Sequence, residues 1–486
     1  MTLTQDLDPT DWDNTVQCFN DSVAHCIQRM RTVRERPVWQ PVPDSVKLAL
    51  HEPLPGDGIS LSALLDFFNE NIAPYGTGNT HPRFYGWVHG SGNVAGVLGD
   101  MLAAFMNCNV GGRDHIGVYV ERQVVDWCKE LFNFEPSSSG LVTSGTSSST
   151  QIALTVARNK AGGPDVQRNG LHSLEKPLVG YCSSEAHTCI AKTFETLGLG
   201  VSSLRKVPVN DLYQMNTAVL VQFIRDDIAD GFQPFAVIAT AGTVNTGAID
   251  DIDAMSAICE RHKLWLHVDG AFGALATQCT RFHKRLRGIA TADSVAFDFH
   301  KWLHVPYDAG CVLIKDAQAH RDSFSSRPDY LSSSQQGLGG GDPWFCELGP
   351  DLSRGFRALK VWFTIKALGM RRLTECIDRN CDQAIALADI VLKTDNLELL
   401  ADVALNIVCF RFVDSTLSQS QLDVLNNRIV EELQLRGLAA PSTTRIDYKT
   451  SIRVCFTNHR TTESDVEALP EIVCKLGHEL KGRTIE

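Results

Sequence analysis

Between Gly86 and Arg372 short apolar runs alternate with longer stretches of helical periodicity, and no other feature of the 486-residue chain restricts its fold as strongly. LVTSG, LVGYCSS, FAVIATAG, LWLHVDGAF, SVAFDFH and GCVLIK each read as a strand. Segments such as QIALTVARNKAGG and DAMSAICERHK lie between most of them and read as helices. Strand and helix in alternation specify an α/β fold, a mostly parallel sheet with helices on both faces. The near-continuous apolarity of the runs fits strands covered on both sides. In such sheets ligands bind beyond the carboxyl ends of the strands, so the residues directly after each run are the candidates for chemistry.

The flanks differ. Residues 1–85 carry amphipathic helical runs, NTVQCFNDSVAHCIQRMRTVRE and ISLSALLDFFNENIAP, joined by a Pro-rich connector. Two such helices cannot bury their apolar faces alone and need another surface, a second subunit included. Residues 373–486 combine helical runs with the strand-like LNIVCFRFV and SIRVCFTN, a small α+β domain. The expected division is therefore 1–85, 86–372 and 373–486. The stretch LSSSQQGLGGGDPW reads as a mobile loop.

Composition narrows the function. The formal net charge of −12 argues against nucleic acid as a partner. The 15 cysteines include no C-x-x-C pair, so neither a metal site nor a disulfide framework is expected. The acidic start MTLTQDLDPTDWDN is unlike a secretory or transit peptide, and no run is apolar enough to span a bilayer. The expectation is a cytoplasmic protein with free thiols and no membrane partner.

Five strand ends carry reactive or polar residues. After LVTSG, Thr146 and Ser147 stand where a strand turns into a helix. That is either a phosphate cradle on a helix N-terminus or an ordinary Ser/Thr cap. His187 follows LVGYCSS, and Thr243 follows FAVIATAG. Asp269 ends LWLHV and, following four apolar positions, must be nearly buried; such a carboxylate needs a cationic partner or several hydrogen bonds. Lys301 follows SVAFDFH. Desolvation lowers the pKa expected of its amine and makes it a nucleophile towards carbonyls. One cofactor uses the cradle, the histidine, the aspartate and the lysine together. Pyridoxal phosphate needs a lysine for its Schiff base, an acid at its pyridine nitrogen, a flat group against its ring and a phosphate cradle.

These residues resemble the pyridoxal-phosphate-dependent group II decarboxylases, which include aromatic-L-amino-acid decarboxylase, over nearly the whole chain. DFHKW is similar to the family's N-P-H-K-W or D-x-H-K, HVDGAFG to H-V-D-A-A-Y/F-x-G, and TSGTSSST to the T-S-G-G-S/T-E-A-N region. HPRFYGWV, RPDYL, LSRGFRALKVWF and RVCFTNHRTT also match. The resemblance implies a PLP-dependent transferase-like fold of type I and a homodimer with its sites at the interface, the N-terminal helices packing on the partner. It implies that Lys301 binds pyridoxal 5'-phosphate, Asp269 pairs with the ring nitrogen and His187 stacks on the ring. Thr146, Ser147 and His300 would hold the phosphate, Thr243 and Ala271 would touch the cofactor, and Tyr330 would reprotonate the substrate carbon. Trp87, Val88 and His89 are candidates for the side-chain pocket, with Ile116 and Tyr119 reaching in from a second subunit. The implied activity is decarboxylation of an L-amino acid, an aromatic one by the rings in that segment, to the amine and carbon dioxide. The alternatives are an oxygen-dependent aromatic aldehyde synthase, a decarboxylase of an acidic or aliphatic amino acid, and a catalytically silent homologue. The chain departs from the family at Asp298, where asparagine is frequent: a carboxylate beside a phosphate repels it unless protonated or turned away.

Overall fold

The structure is a computed structural model and describes residues 7–325, 336–341 and 343–482. Its larger sheet has seven strands: β1 (Ser139–Thr143), β2 (Leu178–Ser183), β3 (Leu204–Val207), β4 (Gln233–Thr240), β5 (Trp265–Asp269), β6 (Ser294–Asp298) and β7 (Gly310–Ile314). They lie in the order β1-β7-β6-β5-β4-β2-β3. β7 is antiparallel to both β1 and β6, and the remaining pairs are parallel. Every strand except β7 therefore ends at the same edge of the sheet. Val237, Ile238, Val268, Val295 and Phe297 are completely buried, as the unbroken apolar runs require.

Gly310, the first residue of β7, faces Thr143 on one side and Asp298 on the other. It ties the end of β1 to the end of β6. A Cβ at this position would stand 2.6 Å from the Gly145 Cα and 2.7 Å from Asp298 Oδ1, so only glycine lets the three segments converge.

A second, antiparallel sheet holds β8 (Leu397–Leu399), β9 (Ile407–Phe412), β10 (Ser442–Ile446) and β11 (Lys449–Cys455), in the order β10-β11-β9-β8. Asp447 and Tyr448, both at positive φ, close the β10–β11 hairpin. Helices Gln419–Leu435 and Glu463–Lys481 cover this sheet around a core of its own that includes Phe410, Leu425, Val454 and Leu469. The helix Arg357–Leu392 runs from the first core to the second and breaks at Gly369 (φ 71°, ψ 148°).

At the N-terminus, the helix Trp12–Arg31 leaves Trp12, Val16, Phe19, Val23 and Ile27 exposed, an apolar stripe at helical spacing. The segment behind it is fastened by Arg34 and Arg83, both paired with Asp465 at 3.0 Å. Among the described residues no helix is long and apolar enough to cross a membrane, and no group of His, Cys, Asp and Glu could hold a metal ion.

Candidate active site

A cavity of about 540 Å³ opens where β1, β4, β5 and β6 end. Its lining includes Thr146, Ser147, His187, Asp269, Ala271, His300 and Lys301, which the sequence spreads over nearly a third of its length. The parallel order gathers them.

The helix Thr146–Gly162 begins directly behind β1. Its first amide finding a helical carbonyl is that of Ser149, which donates to Gly145 O at 3.0 Å. The Thr146 N–H instead donates to Asp298 Oδ1 at 2.7 Å. The Thr146 hydroxyl is buried and has no hydrogen-bond partner, and the same holds for Thr240 at the end of β4. Buried hydroxyls without partners are costly. Both belong to residues lining the cavity. A bound anion beside the helix N-terminus would satisfy the first of them.

Asp269 is buried, and its Oδ1 accepts the Ala271 N–H at 3.2 Å. Burial raises its pKa, against the pull of Lys301 and His187. The Nδ1 of His187 accepts the Cys189 N–H at 3.2 Å. Burial lowers the pKa of this imidazole, so it stands in the wall as a neutral ring. His300 is also held neutral by burial; its Nδ1 lies between the carbonyl (2.9 Å) and amide (3.1 Å) of Ala309, and its ring meets Tyr307 at 4.3 Å. Trp302 turns the other way, fully buried, with its Nε1 donating to Asn380 Oδ1 at 3.1 Å.

Lys301 departs from expectation. Burial does lower the pKa of its amine, but Asp298 Oδ2 at 3.0 Å outweighs that, with help from Asp269, and the net direction is upward. The amine rests as an ammonium in an ion pair. Desolvation alone gives the wrong sign because a carboxylate lies only three residues away in sequence.

Other sequence-derived candidates fall less uniformly. Thr243 does not line the cavity: its hydroxyl accepts the Ala248 N–H at 3.0 Å and meets Thr246 at 3.1 Å, while Thr240, Gly242 and Val244 form that wall. Trp87, Val88 and His89 do line it. Trp87 adopts φ +50° and is fixed by Arg453, which donates to its carbonyl at 3.0 Å. Ser91 clasps this segment through His304 Nδ1 (3.2 Å) and His459 Nδ1 (2.8 Å). Ile116 and Tyr119 are exposed on the helix Ile116–Phe132 and do not line the cavity of their own chain. Arg83 is engaged with Asp465, away from the cavity. Tyr330 lies outside the described residues, as do 331–335 of the Ser/Gly-rich stretch. Sequence reasoning missed Tyr307 and Cys189, both in the lining. An aromatic six residues beyond the lysine was the available signal for Tyr307.

The cavity fits pyridoxal phosphate: an amine, a buried carboxylate, a neutral flat ring, and at one end an unpartnered hydroxyl on a helix N-terminus.

Comparison with known proteins agrees. The family model described as the pyridoxal-dependent decarboxylase conserved domain matches residues 43–413. The chain is 32% identical over 446 residues to an aromatic-L-amino-acid decarboxylase of Bacillus atrophaeus, covering 90% of each. It is 27% identical to a 4-hydroxyphenylacetaldehyde synthase of Rhodiola rosea, over 92% of this chain and 91% of that one. The crystal structure of Oryza sativa TDC with PLP and tryptamine shares the fold with a TM-score of 0.90 at 23% identity, over 98% of this chain and 100% of that one.

Proposed function

The chain belongs to the pyridoxal-dependent decarboxylase family, and on that premise we propose that it removes the carboxylate of an aromatic L-amino acid to give the amine and carbon dioxide. Its cofactor is pyridoxal 5'-phosphate. When bound, the cofactor supplies a carbonyl for imine exchange and a ring that withdraws electrons from the substrate α-carbon.

The protein's share is positioning and proton control. Lys301 offers the amine. Asp269, buried and poor in partners, keeps a proton at the ring nitrogen, where electron withdrawal depends on it. His187 presents a neutral face and adds no charge against the ring. Thr146 and Ser147 take the phosphate, with His300 beside them. Tyr330 is assigned the return of a proton to the substrate carbon, as the family pattern implies.

One observation carries the aromatic assignment. His89, in the cavity wall, stacks on Trp87 at 5.6 Å and on Phe84 at 5.7 Å and meets Tyr307 edge-on at 6.0 Å. Offset and edge-on rings suit an aromatic side chain. The Bacillus atrophaeus relative supports the same class. A second subunit, docked on the exposed stripe of the helix Trp12–Arg31, belongs to the proposal, and so does a division at 85 and 372. Two separate cores and the break at Gly369 support the second of these boundaries.

A panel of L-amino acids assayed for carbon dioxide release tests the assignment. Aromatic substrates should give carbon dioxide and amine in equal amounts without oxygen uptake. Peroxide and ammonia in place of the amine would instead indicate the aldehyde-synthase reaction. Lys301→Ala should lose the visible absorbance of protein-linked cofactor; an unchanged spectrum would refute the site.

A further inference from the structure

The proposed decarboxylation gives Asp298 no task, yet it is the most connected carboxylate in the cavity. It ends β6, is 2% exposed, and uses its two oxygens differently. Oδ1 accepts the Thr146 N–H at 2.7 Å. Oδ2 stands 3.0 Å from Lys301 Nζ and 3.6 Å from His300 Nε2. Gly310 and Gly145 leave the space it occupies: a Cβ on either would lie 2.7 Å or 3.4 Å from Oδ1.

A buried carboxylate next to a phosphate cradle would be repelled by the phosphate unless something neutralises it. Here Oδ1 is turned onto the Thr146 amide at the helix terminus, and Oδ2 onto the lysine. Asparagine could serve the first contact. Only a carboxylate serves the second as an ion pair.

We propose that Asp298 is a positioning residue that receives Lys301 as an ammonium whenever that amine is not bonded to the cofactor, while its other oxygen pins the cradle to the end of β6. The proposal rests on Lys301 being the cofactor-bearing residue. It gives the displaced lysine a defined resting place, aimed back into the cavity and unreactive until its proton is removed. The net upward direction of its pKa is consistent with this. The charged and titratable groups facing Lys301 are Asp298 from β6, Asp269 from β5, His187 and Cys189 from the start of the helix Cys189–Thr196, and His89 and His300. Of these, Asp298 alone lies within ion-pair distance.

The test uses the full chain freed of cofactor. The rate at which it links pyridoxal phosphate is followed by absorbance against pH, in wild type and Asp298→Asn. Asparagine keeps an acceptor for the Thr146 N–H and removes the charge. The expected result is a pH profile shifted down by a unit or more, so that linkage near pH 8 speeds up roughly tenfold. Coincident profiles would overturn the proposal. A wild type that links no cofactor at Lys301, judged by borohydride reduction and peptide mapping, would instead overturn the assignment of Lys301. If Asp298→Asn does not fold, wild type alone suffices: the Lys301 signal of ¹³C-methylated cofactor-free protein, assigned by its loss in Lys301→Ala, should titrate above free lysine. Titration at or below the free value would refute the ion pair.

Discussion

Thr146 separates binding from stability more cleanly than any other residue of the site. Its hydroxyl is buried without a partner in the protein alone, so its removal deprives the fold of no hydrogen bond. Thr146→Val, nearly isosteric, should therefore leave the melting temperature unchanged or raise it. Cofactor affinity should fall, because a hydrogen bond to a charged group contributes about 1.5–3 kcal/mol, roughly a 10- to 150-fold change. Thermal denaturation beside a cofactor titration checks both halves; parallel losses would mean that the hydroxyl is structural. Lys301 teaches the complementary lesson. Its importance was visible in the sequence because an ammonium between two apolar runs demands explanation. The direction of its pKa was not, because that depends on where the Asp298 side chain points. Thr243 shows the same limit: a hydroxyl at a loop start can face the ligand or close its own turn, and here it closes the turn.

At the scale of elements, the buried strands were legible and the marginal ones were not. β2, β4, β5, β6 and β7 are apolar runs, buried throughout apart from the first two residues of β4. β3 is a four-residue edge strand, LRKV, exposing its two central residues at least in part, and a sequence pattern cannot separate such an edge from a loop. β8 has three residues, and β10 places polar residues towards water. The N-terminal segment was legible as helical but not in its attachment, which includes the ion pairs of Arg34 and Arg83 with Asp465. Burial would raise the Asp465 carboxyl, but Arg34, Arg83 and the Thr462 contacts hold it at about 2. A carboxyl depressed in the fold stabilises above its unfolded value, near 3.9, and loses that contribution as pH falls through the folded value. The tie should therefore weaken between about pH 4 and pH 2. Asp465→Asn should reproduce that loosening at pH 7, read as faster proteolysis or hydrogen exchange confined to residues upstream of Arg83. Protection unchanged there would show that packing, not charge, holds the segment.

For the molecule as a whole, the apolar stripe of the helix Trp12–Arg31 is the feature a monomer cannot explain, since a contiguous exposed face of this kind marks an interaction surface. Wild type should sediment as a dimer of the 53.5 kDa chain. Val16→Arg with Val23→Arg should sediment as a monomer without loss of folded structure, both side chains being exposed in one chain. A dimer that survives the double substitution would place the interface elsewhere. The joint made at Gly310 also has a consequence for biosynthesis. The cradle amide and the Asp298 carboxylate it meets are 152 positions apart, and β7, which joins their strands, is synthesised after both. At roughly 5–20 residues per second, a ribosome needs on the order of 8–30 s to travel from one to the other. Throughout that interval the growing chain carries half a binding site. Cofactor capture is thus deferred until the sheet has closed, and a polypeptide truncated before β7 should emerge unable to retain it.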